Sequence, residues 1–364
     1  MKDQTNGLPK SPKPSSTVLP KVTNTYFNWS WRFAVLFVLV PSFNTHAQDT
    51  LTGYTAKEVL LLMGTRFELG AFAKTQAAAD HAVADAIAEI WRIEALISSW
   101  DPNSQTSKIN ATAGDSGTYV DEELYRLIER SLKISALTDG AFDITAGGFN
   151  RLYRFGGQDT TLPSIEVLAN AVSTMDYHQI DLAKDKFGYH VKLNKAGFRI
   201  GFGAIGKGYA ANMAREVMRR DTNVLGGVVN AAGDLATFGI NEQGASWKIG
   251  ITDPINPQRW LGELEVGELA VVTSGDYEKY FMVNGQRYSH IIDPRTALPT
   301  QGVRSVTIVC PNAEIADALA TSVFVLGETK GLALINRLKN IEGLIITEDG
   351  RKFSSQGLTL LPKT

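Results

Sequence analysis

The sequence predicts an α+β fold, because segments of helical and of strand periodicity follow one another without the regular strand–helix–strand alternation of a parallel sheet. Helical spacing is clearest in QAAADHAVADAIAEIWRIEALISSW, where Val83, Ile87 and Ile90 fall on one face. Strand spacing is clearest in EKYFMVNGQRYSHII, where Asn284-Gly285 separates two alternating runs. This dipeptide is the preferred two-residue turn of a β-hairpin, so the segment is predicted to fold back on itself.

The N-terminal half is predicted to supply one strand and three helices. EVLLLMGTRFELGAFA forms the strand and precedes the first helix, which is followed by the polar loop DPNSQTSKIN. The second helix is the amphipathic segment DEELYRLIERSLKISALTDG, ended by Asp139-Gly140. DTTLPSIEVLANAVSTM is predicted to be a loop that leads into the third helix.

Strand patterns become frequent in the C-terminal half. YHVKLN and FRIGFG are predicted to pair through Lys195-Ala196-Gly197, and GLIITEDGRKFSS is predicted to form a closing hairpin. GGVVNAAGDLATFG and SWKIGITDP form strand–turn units, while KGYAANMAREVMRR and NAEIADALATSVFVLG have helical patterns. Since no internal repeat or linker is found, residues 48–364 are predicted to form a single domain.

Residues 1–47 have the pattern of a secretory signal peptide with a long polar n-region. Arg32 precedes the apolar run Phe33–Val40, and THA at residues 45–47 ends in a small residue where cleavage is expected. The run is shorter than the roughly 20 apolar residues that cross a membrane, although a membrane-anchored N-terminus is the alternative. Because Cys310 is the only cysteine, none near the cleavage site can carry a lipid. We therefore expect an exported, periplasmic protein that is soluble or loosely membrane-associated.

The overall charge excludes one class of partner. The chain has 364 residues with 36 Lys and Arg against 38 Asp and Glu, for a formal net charge of -2. A nucleic-acid-binding surface is usually strongly basic, so no nucleic-acid partner is expected.

Two segments point to an anionic ligand and a metal ion. Asp317 and Thr321 lie four residues apart on a predicted helix, so a carboxylate and a hydroxyl share one face and could form a hard-oxygen site for Mg²⁺. In GFGAIGKGYAAN, several glycines flank Lys207 at the entry to a helix, where backbone amides and an ammonium could contact phosphates. The alternatives are a helix-capping or solvated Asp317, and tight strand–helix packing around the glycines.

His290 is the candidate base. It follows a basic, an aromatic and a hydroxyl residue in GQRYSHIIDPRT and precedes an Asp-Pro turn. Two Gly-Asp turns, in VVNAAGDLATFG and VVTSGDYEKYF, could join it with Lys207 and Asp317 in one extended pocket for a large phosphorylated ligand. From the local pattern alone, a histidine that only ends a strand is the alternative.

The chain resembles the ApbE family of FAD:protein FMN transferases through an ordered set of segments between about Leu60 and Gly327. The two most diagnostic segments are YSHIIDPRTALP and ADALATSVFVLG. The others are MGTRFEL, SSWDPNSQTSKIN, GAFDITAGG, GAIGKGYA, VNAAGDL, WKIGITDP and TSGDYEKYF.

The resemblance implies a two-lobed α+β fold with mixed sheets and flanking helices, with the flavin between the lobes. His290 matches the histidine assigned to catalysis. Asp317 and Thr321 match the side-chain ligands of Mg²⁺, and Ala204 matches a residue that gives the metal its backbone carbonyl. The positions that match FAD contacts are Met63, Trp100, Ala141, Phe142, Asp143, Lys207 and Ile291.

Four positions depart from the family pattern. Trp100 stands where a Tyr is usual, which keeps an aromatic face but loses a hydroxyl. Gly201 replaces an Asp that contacts FAD, Asn212 replaces a frequent Asp, and Ala232 replaces a common Gly. These changes affect flavin contacts more than the metal ligands.

The implied reaction is the Mg²⁺-dependent transfer of the FMN moiety of FAD to a threonine hydroxyl of an exported target protein, with release of AMP. The resemblance also implies that the acceptor is an exported domain of a membrane redox complex. Two alternatives stay open at this point. One is an FAD pyrophosphatase that gives FMN and AMP, and the other is a periplasmic FAD-binding protein without turnover.

Overall fold

A computed structural model describes residues 52–153 and 162–362 of the chain. The predicted signal peptide, residues 1–47, lies outside the described residues. The α+β class is confirmed. The helices are α1 (Gln76–Ile97), α2 (Gln105–Ala111), α3 (Glu122–Leu137), α4 (Ile165–Ser173), α5 (Gly206–Met218) and α6 (Ala313–Arg337). The strands are β1 (Tyr54–Leu62), β2 (Thr65–Ala73), β3 (Thr118–Val120), β4 (Ile180–Asp185), β5 (Gly188–Leu193), β6 (Val224–Ala231), β7 (Asp234–Gly239), β8 (Trp247–Thr252), β9 (Trp260–Val266), β10 (Ala270–Gly275), β11 (Tyr280–Val283), β12 (Gln286–Ser289), β13 (Val303–Cys310), β14 (Glu342–Thr347) and β15 (Lys352–Ser354).

An eight-stranded sheet forms the centre of the molecule, in the order β1-β2-β6-β7-β10-β13-β14-β15. Smaller sheets are formed by β3-β5-β4, β8-β9 and β11-β12. The resemblance implied mixed sheets, but every strand pair in the described part of the chain is antiparallel. Six of the eleven pairs join consecutive strands through a short connection, and a short hairpin can join only antiparallel strands.

Alternating residues of the central sheet face two different apolar layers. Val272 points into the main core beneath α1, α5 and α6, whereas its neighbour Val271 packs against the β8–β9 hairpin around Trp247. This is the two-residue period of a strand that is covered on both faces. The helical layer matters for function, because α5 and α6 lie side by side in it and carry Lys207 and Asp317.

Two strand predictions were wrong, one at the start of the described chain and one after β5. The first predicted strand is a hairpin, β1–β2, because Met63 and Gly64 both adopt positive φ, at 50° and 71°, and turn the chain. FRIGFG does not pair with β5 and forms no strand. The side chain of Asn110 satisfies the backbone of Ile200 instead, accepting from its N–H at 2.7 Å and donating to its carbonyl at 2.9 Å.

Helix α6 continues beyond its predicted end. Asn312 caps its start by accepting a hydrogen bond from the Ile315 N–H at 3.1 Å. Gly327 breaks the helical geometry with φ 76° and ψ 179°, after which the helix resumes. By length and composition this helix could cross a membrane, but it packs against β10, β13 and β14 as a core helix of the sheet.

Candidate functional site

The start of α5 meets α6 at a position where only glycine fits. The backbone N–H of Gly208 donates to Asp317 Oδ2 at 2.9 Å, and a Cβ on Gly208 would lie 2.2 Å from the carbonyl oxygen of Ala313. Two helices can approach this closely only where one of them lacks a side chain. The glycine-rich segment therefore packs tightly, but helix against helix rather than strand against helix, and this packing holds Asp317 at the entry to α5.

Lys207 lies between carboxylates from two other elements. Its ammonium contacts the carboxylate of Asp234, the first residue of β7, and lies 3.9 Å from Asp317 Oδ1. Both carboxylates are almost completely buried. Although burial opposes a charge on Lys207, these two carboxylates raise its pKa well above its usual range. The lysine is therefore a fixed cation at neutral pH.

Negative charge exceeds positive charge around this lysine. Glu278, in the turn after β10, interacts electrostatically with both Lys207 and Asp317. Burial raises the pKa of Asp234 well above its usual range, and the charge of Asp317 raises it further. Burial likewise raises the pKa of Glu278, although 34 % of its side-chain surface is accessible to solvent. Carboxyl groups thus outnumber the nearby ammonium groups of Lys207 and Lys279, and the raised pKa values of Asp234 and Glu278 mean that a proton or a further cation would stabilise them.

The donor groups near Asp317 fit a hard divalent ion such as Mg²⁺. Thr321 follows one turn later on α6 and is partly exposed, and Ala204 lies two residues before the first residue of α5. The part of the chain that the structure describes has no group of three His, Cys, Asp or Glu side chains able to hold a metal. A cation at Asp317 would thus depend on hydroxyl, carbonyl, phosphate and water oxygens, which is the usual situation for Mg²⁺.

His290 lies just beyond β12, and the backbone of Lys279 fixes its ring. The Lys279 carbonyl accepts from the His290 N–H at 3.0 Å and from the ring Nδ1 at 3.1 Å. A carbonyl can only accept, so Nδ1 carries the proton and Nε2 has the lone pair. Nε2 lies 4.0 Å from Glu278 Oε2. Burial, with the nearby charges of Lys279 and Lys207, lowers the pKa of His290 to about 4. The ring is therefore neutral at pH 7, as a proton acceptor must be.

The residues predicted to contact FAD lie on several different segments, and some are buried whereas others are exposed. Met63 occupies the β1–β2 turn, where its N–H donates to Glu94 Oε2 at 3.1 Å, and its side chain approaches Gly206 at the start of α5. Ile291 is buried directly after His290. The Trp100 side chain is exposed, with 77 % of its surface accessible, on a loop held by Ser98. Such a ring is available to stack on a planar ligand.

The Ala141-Phe142-Asp143 segment lies beside a separate cavity of about 360 Å³, which Asp143 lines together with Tyr177 and Arg295. Ala141 and Phe142 are buried. The Asp143 carboxylate accepts from the N–H and hydroxyl of Thr145, both at 2.7 Å, and from the Tyr177 N–H at 3.0 Å. Its hydrogen bonds therefore already hold the local backbone.

Comparison with known proteins decides the family. The model of the ApbE family matches residues 63–345, which include every predicted site residue. The chain belongs to the ApbE family. A curated relative, the FAD:protein FMN transferase of Treponema pallidum, is 31% identical over 346 residues, covering 90% of this chain and 94% of that protein. The FAD:protein FMN transferase of Escherichia coli K12 is 28% identical over 267 residues, or 71% of this chain and 75% of its own.

Solved structures agree with this assignment. The crystal structure of the ApbE protein from Thermotoga maritima matches with a TM-score of 0.74 and 32% identity, covering 84% of this chain and 97% of that one. A flavin transferase ApbE from Vibrio cholerae, at 24% identity, shares the fold with the same TM-score of 0.74. The predicted family membership is confirmed.

Two departures from the ApbE pattern have structural explanations. Gly201 packs backbone to backbone against Gly147, and a Cβ on Gly201 would lie 3.2 Å from the Gly147 Cα. An aspartate there would need the two segments to separate slightly. The Asn212 side chain is buried between α5 and α6, where its oxygen accepts from Arg215 at 2.9 Å and from the Ala313 N–H at 3.4 Å. Asn212 therefore cross-links the two helices.

Ala232 lies in the turn between β6 and β7 with φ 53°, a conformation that favours glycine. Left-handed geometry costs an L-residue about 1–2 kcal/mol, whereas glycine loses about 0.5–1 kcal/mol of chain entropy. We therefore expect Ala232→Gly to raise the free energy of unfolding by about 0.5–1 kcal/mol in urea denaturation. Ala236→Gly, within β7, is the matched control and should destabilise. A lower free energy of unfolding in Ala232→Gly than in the wild type would contradict backbone strain at this position.

The sequence did not single out three residues of the site. Asp234 and Glu278 belong to the two Gly-Asp turn segments noted in the sequence, but neither was assigned a role. The signal for Asp234 was a carboxylate in a tight turn between strands of small residues. Lys279 contributes its carbonyl, and every residue has one, so no sequence pattern could have revealed it.

Proposed function

We propose that the chain is an FAD:protein FMN transferase that moves the FMN moiety of FAD onto a threonine hydroxyl of an exported protein and releases AMP. The activity predicted from the sequence agrees with the names of its curated relatives. The observation that carries the proposal is the convergence of Lys207 and Asp317 from α5 and α6 with His290 from the end of β12. These groups supply a phosphate contact, a metal ligand and a base.

FAD binding is assigned to groups on several elements. Lys207, the second residue of α5, would contact the diphosphate, since a helix N-terminus and an ammonium both favour anions. Met63, Trp100, Ile291 and the Ala141–Asp143 segment would contact the remainder of FAD. Because the diphosphate is itself anionic, it adds to the excess negative charge around Lys207, and binding it there requires a cation.

Asp317, Thr321 and the Ala204 carbonyl are the residues that would hold Mg²⁺. The bound ion would supply charge neutralisation for the phosphates and for the departing AMP. Asp317 is suited to this position because Gly208 fixes one of its oxygens, while the other faces Lys207.

His290 accepts the proton of the incoming threonine. The threonine oxygen forms a bond to the phosphorus of the FMN phosphate, and the bond from that phosphorus to the bridging oxygen of the AMP moiety breaks. The hydroxyl proton moves to His290 Nε2. The Lys279 carbonyl keeps the opposite nitrogen protonated and so presents the Nε2 lone pair. A positioned base of this kind contributes typically about 10²–10⁴-fold to the rate.

A product analysis separates this function from its two alternatives. The mature protein is incubated with FAD and Mg²⁺, with and without a threonine-bearing acceptor domain. A transferase releases AMP and leaves flavin fluorescence on the acceptor after denaturation. AMP with an equal amount of free FMN identifies a pyrophosphatase, and intact bound FAD identifies a binding protein; either result would overturn the proposal.

The pH dependence of the reaction follows from the partly buried His290. His290 is active only when neutral, so we expect kcat/KM to fall as the pH drops through about 4 rather than through 6.5. An unfolded chain would protonate this ring near 6.5, so folding stability also falls between that pH and about 4. Circular dichroism at each pH is therefore the control. A fall in kcat/KM near pH 6.5, in protein that is still fully folded, would contradict the lowered pKa of His290.

We also propose that the protein is exported and acts in the periplasm on an exported domain of a membrane redox complex. The support is the n-region, apolar run and small-residue site of residues 1–47. We expect intact-mass spectrometry of the secreted form to show a chain beginning near Gln48 without a lipid. A mature chain that retains residues 33–47 would instead indicate a membrane-anchored N-terminus.

A further inference from the structure

A buried ion pair links the turn beside His290 to the central sheet. Asp276 directly follows β10 and is 4% exposed. Arg304 Nη1 donates to Asp276 Oδ2 at 2.6 Å, and the Asp276 N–H donates to the Arg304 carbonyl at 3.1 Å. One contact uses side chains and the other uses backbone, so together they fix the first residue of the turn against β13.

A break in strand register places the arginine. Along β13, Val303 pairs with Thr347 and Ser305 with Ile346, so Arg304 is an extra residue opposite β14. A β-bulge of this kind redirects a side chain, and bulges are frequent next to active sites. Here the guanidinium contacts the carboxylate at the end of β10.

The same turn holds the histidine. Lys279, three residues after Asp276, provides the carbonyl that accepts from both the N–H and the Nδ1 of His290. The turn is compact, because the Tyr277 ring lies against Gly275, where a Cβ would be 2.4 Å from the ring. A displacement of Asp276 would therefore move the Lys279 carbonyl as well.

The carboxylate also faces the hairpin that ends in His290. Arg287 on β12 stacks on Tyr280 at 4.4 Å and places Nη1 3.9 Å from Asp276 Oδ1. Among the described residues, Asp276 Oδ1 and Arg304 Nε are the two buried side-chain atoms without a hydrogen-bond partner. A buried polar atom without a partner calls for an explanation, and a geometry held for function is one of them.

We propose that Asp276 and Arg304 are positioning residues for FMN transfer, which hold the Lys279 carbonyl where it fixes the tautomer of His290. The inference rests on the proposed function, in which His290 is the base. Neither residue contacts the reacting atoms. Their effect is transmitted through the turn and should appear in the chemical step rather than in FAD binding.

The kinetic test compares Asp276→Asn and Arg304→Gln with the control Arg130→Gln. Arg130 forms a two-contact ion pair with the buried Glu314, at 2.6 and 3.0 Å, and so matches the test pair in type. In both test variants we expect kcat to fall about 10–100-fold, as for a small misplacement of a catalytic group, with the Kd for FAD within about two-fold of wild type. The control should keep wild-type kcat. Wild-type kcat in both folded test variants, or an equal loss in the control, would overturn the inference.

Nitrogen-15 NMR of labelled histidines tests the positioning directly, even if a variant is inactive. At pH 7 the wild-type His290 ring should show the Nδ1–H tautomer, and its signal is identified by its loss in His290→Asn. In Asp276→Asn we expect averaged tautomer signals. Unchanged signals, together with an inactive His290→Asn, would overturn this inference alone. Full transfer activity in His290→Asn would overturn the proposed base, and the inference with it.

Discussion

Replacement of His290 by asparagine is expected to slow FMN transfer by about 10²–10⁴-fold while leaving the affinity for FAD nearly unchanged. Asparagine retains a side-chain amide that can donate to the Lys279 carbonyl, but it has no nitrogen that accepts a proton at neutral pH. FAD affinity should persist because its contacts are spread over several elements. The loss should therefore appear in kcat rather than in KM.

Single-turnover transfer and flavin-fluorescence binding, measured on the same preparation, separate these two effects. The acidic limb of the pH–rate profile should also disappear in this variant, if His290 produces it. Tyr288→Phe, on the same hairpin, is a suitable control because it removes a hydroxyl that donates to Gln286 of the same hairpin, at 3.4 Å. A wild-type transfer rate in His290→Asn would show that this histidine only ends its strand.

Replacement of Asp317 by asparagine is expected to lower Mg²⁺-dependent turnover by about 10²–10³-fold, since a bound metal supplies several kcal/mol of charge stabilisation. The amide oxygen can still accept from the Gly208 N–H, so the contact between α5 and α6 survives. The negative charge is lost, and Thr321 with backbone and water oxygens is a poor site for an ion that dehydrates reluctantly.

A Mg²⁺ titration of turnover measures this effect, and melting in the presence of a chelator separates it from folding. Glu314→Gln is the matched control, because it removes another buried carboxylate of α6, one that pairs with Arg130. An unchanged Mg²⁺ response in Asp317→Asn would contradict the metal assignment. A large loss of melting temperature without metal would show that Asp317 is structural.

Spacing rules predicted the parts of the fold and site that depend on short stretches of chain. The Asn284-Gly285 hairpin formed as expected, with positive φ at both residues. The four-residue spacing of Asp317 and Thr321 placed both on α6. Lys207 was expected at a helix entry, and it is the second residue of α5.

Features that depend on distant parts of the chain were not predictable from local patterns. The pairing of Lys207 with Asp234 joins α5 to a turn 27 residues later. The strand assigned to FRIGFG failed because Asn110, 90 residues earlier, satisfies the backbone of Ile200 in place of a neighbouring strand. The β1–β2 turn was missed because a methionine rarely adopts a positive φ, whereas Met63 does so here.

Formation of a phosphoester between FMN and a threonine distinguishes the proposed transferase from a pyrophosphatase and from a binding protein. Intact-mass spectrometry of a threonine-bearing acceptor domain, after incubation with FAD, Mg²⁺ and the mature protein, tests it most directly. We expect a mass gain of one FMN group per acceptor, with one AMP released for each, and no gain when the acceptor threonine is replaced by alanine. An unmodified acceptor accompanied by equal amounts of free FMN and AMP would contradict it.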